Sequence, residues 1–396
     1  MPSVTASPSA GGASAPHSAL SVYVMVAMVA MAGPLYIDIM PAIIAALRTE
    51  YGLSAAQAGY VAASNGYGST VGALAALFIV PRIPWRALSA ALLLALILAD
   101  SATIGAHGFE PLMILRFVHG VAGGMLVGTT YALLAQMADP RRGFGIVFIL
   151  HFGFGGIGIM ASVYAASLFR QGVVFAVLVA FSVIALFLLM RLPAFRQPGV
   201  REPSKAAVWT GAWSAPLVAR TAGLFLFQAA NLGLGAFLIG IAVDFGHTAA
   251  FASTTVGFAL WAGVPGALIM LMISSRYGWM PLVPVVIAAG LAKLLVMTGA
   301  QPALYAIAVA AIFFTMAVAL PYGFALCARD DTSGQAALLA GFASKLGLAS
   351  GPAIAGILYS HGADLLIGAA VATVMVAAGL FAFSLRGQGP ADDGGY

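Results

Sequence analysis

The chain has 396 residues, of which 62% are hydrophobic and only 7% charged. A water-soluble domain carries about 25% charged residues, so this composition excludes a soluble enzyme or binding module and requires a membrane protein with many spans. The formal net charge of +5 does not point to nucleic acid, because the basic residues gather in short polar connections, where they set membrane orientation.

Residues 1–18 are Ser, Ala, Gly and Pro with one His and no Lys or Arg, and they read as a disordered tail. A secretory signal has a basic start and a short apolar core. Here the start is uncharged and the first apolar run is too long, so that run is expected to stay as helix 1. Apolar runs of spanning length fall at about 20–46, 55–80, 88–106, 110–137, 144–169 and 172–190. A second set falls at about 214–243, 250–273, 281–299, 302–326, 335–359 and 363–385. A span needs about 20 apolar residues. The expectation is an all-α membrane protein with twelve transmembrane helices, six in residues 19–190 and six in 214–385. Residues 191–213 hold Pro193, Pro198 and Pro203 and several basic residues, and they read as a linker at the membrane surface. Residues 386–396 form a second tail.

Lys and Arg fix the expected orientation. With the N-terminus inside, the cytoplasmic connections and ends hold Arg82, Arg86, Arg141, Arg142, Arg191, Arg196, Arg201, Lys205, Arg276, Arg329 and Arg386, against Arg48 and Arg170 outside. That asymmetry places both termini in the cytoplasm. The halves also repeat. At a constant offset of 194, Glu50 matches Asp244, Gly52 matches Gly246, Ser54 matches Thr248, Arg82 matches Arg276 and Trp85 matches Trp279. Both copies begin on the same side, so the repeat is parallel, with a pseudo-twofold axis along the membrane normal.

Six-plus-six topology, a basic central linker, a parallel repeat and helix 4 together make the sequence resemble the major facilitator superfamily over about residues 19–385. The family's helix 4 pattern of Leu, Arg and Gly stands here as Leu112, Arg116 and Gly120, with His119 where Gln is usual. The loop between helices 2 and 3 keeps only Arg82 and Arg86 of the family motif, in PRIPWR. The matching loop of the second half, SSRYGWM, keeps Arg276 and Gly278 but has Ser275 for the acid. Helix 5 lacks the Gly-Pro pair of many drug–proton antiporters and offers Gly153, Gly155, Gly156 and Gly158 instead. The resemblance implies two six-helix bundles around a central cavity lined by helices 1, 4, 7 and 10. It also implies a monomer in a cytoplasmic membrane, here that of a bacterium.

Ionisable groups inside the bilayer are costly and mark function. Asp38 lies in GPLYIDIMP, bracketed by Pro34 and Pro41, which should loosen helix 1 there. Asp38 and Arg116 fall at nearly the same depth, so the expectation is that they pair and form the proton switch. The bland alternative is a static ion pair. Lys345, among small residues in AGFASKLGLASG, is expected to bind an anionic substrate or to hydrogen-bond helix carbonyls. Gln228 and Asn231 share one helix face and, with Asn65 and Tyr36, are candidates for substrate contact. His119, one turn from Arg116, and His151 are secondary candidates, packing being the other reading of His151. Asp100 is expected near a surface or locally paired. Lys293 and Arg220 are expected to snorkel to the interface.

The sequence has no phosphate-binding Gly-x-x-x-x-Gly-Lys loop, no His-Glu-x-x-His and no Gly-x-Ser-x-Gly. The single cysteine, Cys327, allows no internal disulfide. No cofactor or metal is expected, and the protein is not expected to be an enzyme. The expected function is secondary transport of a small organic solute, leaning to an organic anion, driven by protons through alternating access. Proton-coupled efflux of drugs or lipophilic metabolites is the first alternative. A non-transporting membrane receptor or assembly protein is the second.

Overall fold

The structure is a computed structural model that describes residues 20–165, 172–193, 195, 214–329 and 335–386. The expected tail at 1–18, nearly all of the 191–213 linker and most of the 386–396 tail lie outside these residues. Every regular element among the described residues is helical: α1 (Leu20–Met31), α2 (Leu35–Asp38), α3 (Met40–Thr49), α4 (Ala55–Ile79), α5 (Trp85–Ile104), α6 (Phe109–Leu134), α7 (Pro140–Tyr164) and α8 (Val173–Arg191). After the linker come α9 (Ala215–Asp244), α10 (Ala249–Trp261), α11 (Gly263–Tyr277), α12 (Leu282–Leu295), α13 (Pro302–Ala328), α14 (Gln335–Tyr359) and α15 (Ala363–Leu385).

Nine helical stretches among the described residues are long and apolar enough to cross a bilayer. The three expected spans outside that set each have a local reason. The first is divided into α1, α2 and α3. Pro34 cannot donate to the preceding turn and Pro41 opens α3, so the helix breaks on either side of Asp38. The second, α4, is 25 residues long but rich in Gly, Ser, Asn and Gln. The ninth, α12, stops after 14 residues and tightens into a 3-10 turn, Val296–Thr298. Length and composition alone therefore do not reach the expected twelve.

The repeat is visible as one turn built twice. Gly52 and Gly246, 194 positions apart, both adopt positive φ, +68° and +90°, a conformation nearly free only to glycine. Two residues on, Ser54 and Thr248 cap the following helices, accepting from Gln57 N (3.2 Å) and Phe251 N (3.1 Å).

Small residues bring the helix backbones into contact, as in other membrane bundles. Gly68 and Gly72 of α4 lie against the carbonyls of Phe117 and Val121 in α6, while Gly120 and Gly124 of α6 lie against those of Asn65 and Ser69. On its other side α4 meets α14, with Gly59 at the Pro352 carbonyl, Gly66 at Ala349 and Gly356 at the Ala55 carbonyl. Helix α4 thereby joins the first half of the sequence to the second. A parallel seam joins α7 to α10, where Gly156 meets the Gly257 carbonyl and Trp261 Nε1 donates to Gly153 O at 3.3 Å.

These contacts predict opposite signs for one substitution at two glycines. Gly120→Ala places a methyl against the Asn65 backbone and should cost about 1–3 kcal/mol by overpacking. Gly145→Ala, in α7 with nothing nearby, should gain about 0.5–1 kcal/mol from helix propensity. Thermal unfolding in detergent measures both.

Candidate functional site

Arg116 is wholly enclosed. Its Nη1 donates to Asp100 Oδ1 at 2.7 Å, and its Nη2 donates to Ala99 O at 3.0 Å and to the Thr103 hydroxyl. The rings of Phe175 and Tyr36 lie 4.9 Å and 5.5 Å from the guanidinium carbon, a cation–π arrangement. Asn65 closes the site. Its Nδ2 donates to Arg116 O at 3.2 Å and to His119 Nδ1 at 2.7 Å. The Arg116 carbonyl requires the amide nitrogen on that side, so His119 Nδ1 accepts. The imidazole proton then sits on Nε2, which faces Asp100 Oδ2 at 3.4 Å.

The expected Asp38–Arg116 pair is therefore replaced. Helices α5 and α6 are antiparallel neighbours joined by a short turn, with Asp100 and Arg116 one to two turns from it, and this local partner takes the guanidinium's Nη1, while Nε has no hydrogen-bond partner among the described residues. Of the two readings of Asp100, the local pairing is the one observed, and the residue is fully buried rather than near a surface. The short turn between two polar residues in adjacent helices was the signal that depth alone did not use. Tyr36 and Asn65, candidates for substrate contact, both lie at this network: Asn65 bonds Arg116 and His119, and the Tyr36 ring is buried between Arg116 and His119, 5.3 Å from the latter, with its hydroxyl unpartnered among the described residues.

Asp38 pairs instead with His151 of α7, whose Nε2 stands 2.9 Å from Asp38 Oδ1. The Asp38 side chain is 4% exposed and that of His151 35%, so the histidine is the open side of the pair. Asp38 Oδ2 is buried without a hydrogen-bond partner among the described residues. The break in helix 1 turns Asp38 toward α7, and Gly155 lets the backbones close. A Cβ at Gly155 would stand 2.9 Å from the Asp38 Cβ and 2.5 Å from Leu260 Cδ2. The pair thus lies where α2, α7 and α10 meet, on the seam between the sequence halves.

Lys293, Arg220 and Lys345 are the cations expected inside the spans of the second half. Lys293 does not snorkel. It is fully buried, and its Nζ donates to Asn231 Oδ1 at 2.7 Å and Ala289 O at 3.4 Å. Nor does Arg220, which is buried and donates to Leu326 O at 3.2 Å. Both find acceptors on neighbouring helices, Lys293 on α9 and Arg220 on α13. Gln228 Nε2 donates to Ser344 Oγ at 3.0 Å, leaving Oε1 without a partner among the described residues. Gln228 and Asn231 thus bind different helices, α14 and α12. Lys345, beside Ser344, is half-buried and makes no hydrogen bond or ion pair among the described residues. Among those residues no group of three or more His, Cys, Asp or Glu is placed to hold a metal ion.

The enclosure of the Arg116 pair predicts its energetics. Asp100→Asn leaves a guanidinium uncompensated and should cost about 3–5 kcal/mol. The double variant Asp100→Asn, Arg116→Gln should recover part of that loss. Unfolding in detergent, read as a double-mutant cycle, tests the coupling.

A model of the family described as "Uncharacterised MFS-type transporter YbfB", where MFS is the major facilitator superfamily, matches residues 25–385. No curated protein matches the chain. Among solved structures the chain is similar to a mutant form of the nucleoside transporter NupG, at 12% identity and a TM-score of 0.76, over 92% of this chain and 100% of that one. It is similar to a D-xylose-proton symporter at 14% identity and a TM-score of 0.73, over 93% and 99% of the two chains. A bacterial homolog of the human lysosomal transporter Spinster, inward-facing and occupied, gives 15% identity and a TM-score of 0.65, over 93% and 98%. At such identities the structures establish the fold, and the family match establishes the class. The chain belongs to the YbfB-type family of the major facilitator superfamily and is a multi-pass membrane transporter, not an enzyme.

Proposed function

We propose that this protein is a proton-coupled secondary transporter of a small organic anion, acting by alternating access in a bacterial cytoplasmic membrane with both termini inside. In this reading the transport unit is a monomer of twelve membrane segments. Residues 19–190 and 214–385 form two six-helix bundles related by the pseudo-twofold axis that the repeated turn supports. The bundles rock about a site at their seam.

The observation that carries proton coupling is the Asp38–His151 pair. A carboxylate and an imidazole 2.9 Å apart share a proton readily, and histidine changes charge in the physiological range. One carboxylate oxygen has no hydrogen-bond partner among the described residues, and the imidazole is exposed on one side, so the pair has room to gain or lose a proton. Arg116, held by Asp100, Thr103 and Ala99, keeps a structural part and leaves the switch to Asp38 and His151.

The anion reading comes from Lys345, a cation without a counter-charge among the described residues, at the same seam. The two sites are linked through helix 1. Ile37 and Met40 line the small cavity at Lys345, while Asp38 between them faces His151. Moving this one turn of helix alters both sites. Contacts across the seam also support a closed state on one side. They run from Tyr164–Thr254 (3.1 Å) and Arg48 over the Tyr359 ring (4.8 Å) to Tyr67–Ser350 (2.9 Å). In the proposed orientation the first two mark the outer side.

Uptake into proteoliposomes under an imposed pH gradient tests the reading, with a panel of organic acids beside lipophilic cations. Acids should accumulate only with the gradient, and Asp38→Asn should reduce accumulation to the level seen without it. Movement of cations against the proton flow would instead support efflux, and failure of every acid to accumulate would overturn the proposal.

A further inference from the structure

Lys345 faces a cavity of about 20 Å³, room for roughly one water molecule, bounded by helices from both halves of the sequence. Its walls divide sharply in character. Ile37 and Met40 from helix 1, Leu232 from α9 and Leu348 from α14 are apolar, and Ser69 of α4 supplies a hydroxyl. Neighbouring polar groups are partly committed elsewhere, with Gln228 Oε1 and Asp38 Oδ2 left without a hydrogen-bond partner among the described residues. Ser344 accepts from Gln228, Asn231 accepts from Lys293, and Asp38 is held by His151 on the far side of α2.

From this charge count we infer that the site takes a small monocarboxylate with an apolar body, the carboxylate resting on Lys345 and Ser69. The inference rests on the proposed anion transport and narrows its substrate class. One ammonium neutralises one carboxylate. A second carboxylate on the same ligand would meet Ile37, Met40, Leu232 and Leu348, none of which offers a side-chain donor, and an unpaired charge in such surroundings is disfavoured. An apolar body meets the same four side chains favourably. A lysine also suits a single charged oxygen pair approached as a point, whereas arginine imposes a planar two-point fork. The cavity holds only the polar end in this closed arrangement. The body enters as the seam between α4 and α14 opens, and the glycine contacts at Gly59, Gly66 and Gly356 are the section of that seam that must separate.

Equilibrium binding to the purified full chain in detergent, at pH 7 and with no gradient, tests the inference by isothermal titration of pentanoate, pentanamide and glutarate. Pentanoate should bind at least tenfold more tightly than either the neutral amide or the dianion. Lys345→Gln should remove the preference for acid over amide, and Lys345→Arg should retain it in part. Size-exclusion elution and the thermal transition report whether the glutamine variant folds, and if it does not, the ligand series on the unaltered chain decides. Equal binding of pentanamide, equal or tighter binding of glutarate, an acid preference surviving in folded Lys345→Gln, or no saturable binding of pentanoate would each overturn the inference. None of these outcomes touches gradient-driven uptake. Conversely, loss of uptake with binding intact would sink the proton-coupled reading alone.

Discussion

An ion carried into hydrocarbon loses its hydration and must find its counter-charge within the protein, and this protein meets that demand to three different degrees. Arg116 bonds Asp100, Thr103 and the Ala99 carbonyl through its two terminal nitrogens, and two rings cover its faces, while Nε is unpartnered among the described residues. These bonds tie α5 to α6, and Asn65 of α4 joins them through the Arg116 carbonyl. Asp38 is satisfied in half, with one oxygen on His151 and the other unpartnered among the described residues. Lys345 has no protein partner among those residues. The three groups differ in how much of each charge the fold has already neutralised.

Helix 1 connects the last two. A continuous helix would hold Asp38 in register with its neighbours over the whole span. The proline-flanked break lets α2 present Asp38 to α7 and Ile37 to the cavity at Lys345, which Met40 at the start of α3 also lines. Glycine makes the close approach possible at both ends of this turn. Gly33 lies against Gly123 of α6, and Gly155 of α7 accommodates Asp38 and Leu260 together. Asp38 and the helix 1 residues that line the cavity at Lys345 therefore lie on the same few residues of backbone.

The internal repeat has kept its turns and changed its contacts. Glu50 and Asp244 occupy matching positions just before the turns at Gly52 and Gly246. Glu50 accepts from the Gly172 amide at 2.6 Å, a bond that stays within the first half. Asp244 accepts from the Tyr359 hydroxyl, and the Tyr359 ring lies under Arg48 of the first half, 4.8 Å from the guanidinium carbon. One copy of the acid ties its own half together, and the other contributes to a contact across the seam. The two turns share their geometry and differ in the contacts their acids make.

The class of protein was legible in the sequence because hydrophobic length and charge scarcity are local properties. The helical content, the repeated turn and the loosening at Pro34 and Pro41 follow from residues read in order. So did the short list of intramembrane ionisable groups, since any such group in hydrocarbon is conspicuous. Partnership was not legible. Depth along a helix placed Asp38 and Arg116 at one level, but pairing depends on which faces meet, and that is set by rotation and by backbone approach at glycines such as Gly120 and Gly155. Tertiary packing gave Arg116 to Asp100, gave Asp38 to His151 and turned Lys293 inward to Asn231. It also left Lys345 without a counter-charge among the described residues. No composition or spacing announces that, because a missing counter-charge is a property of everything packed around a residue and of nothing in its own sequence.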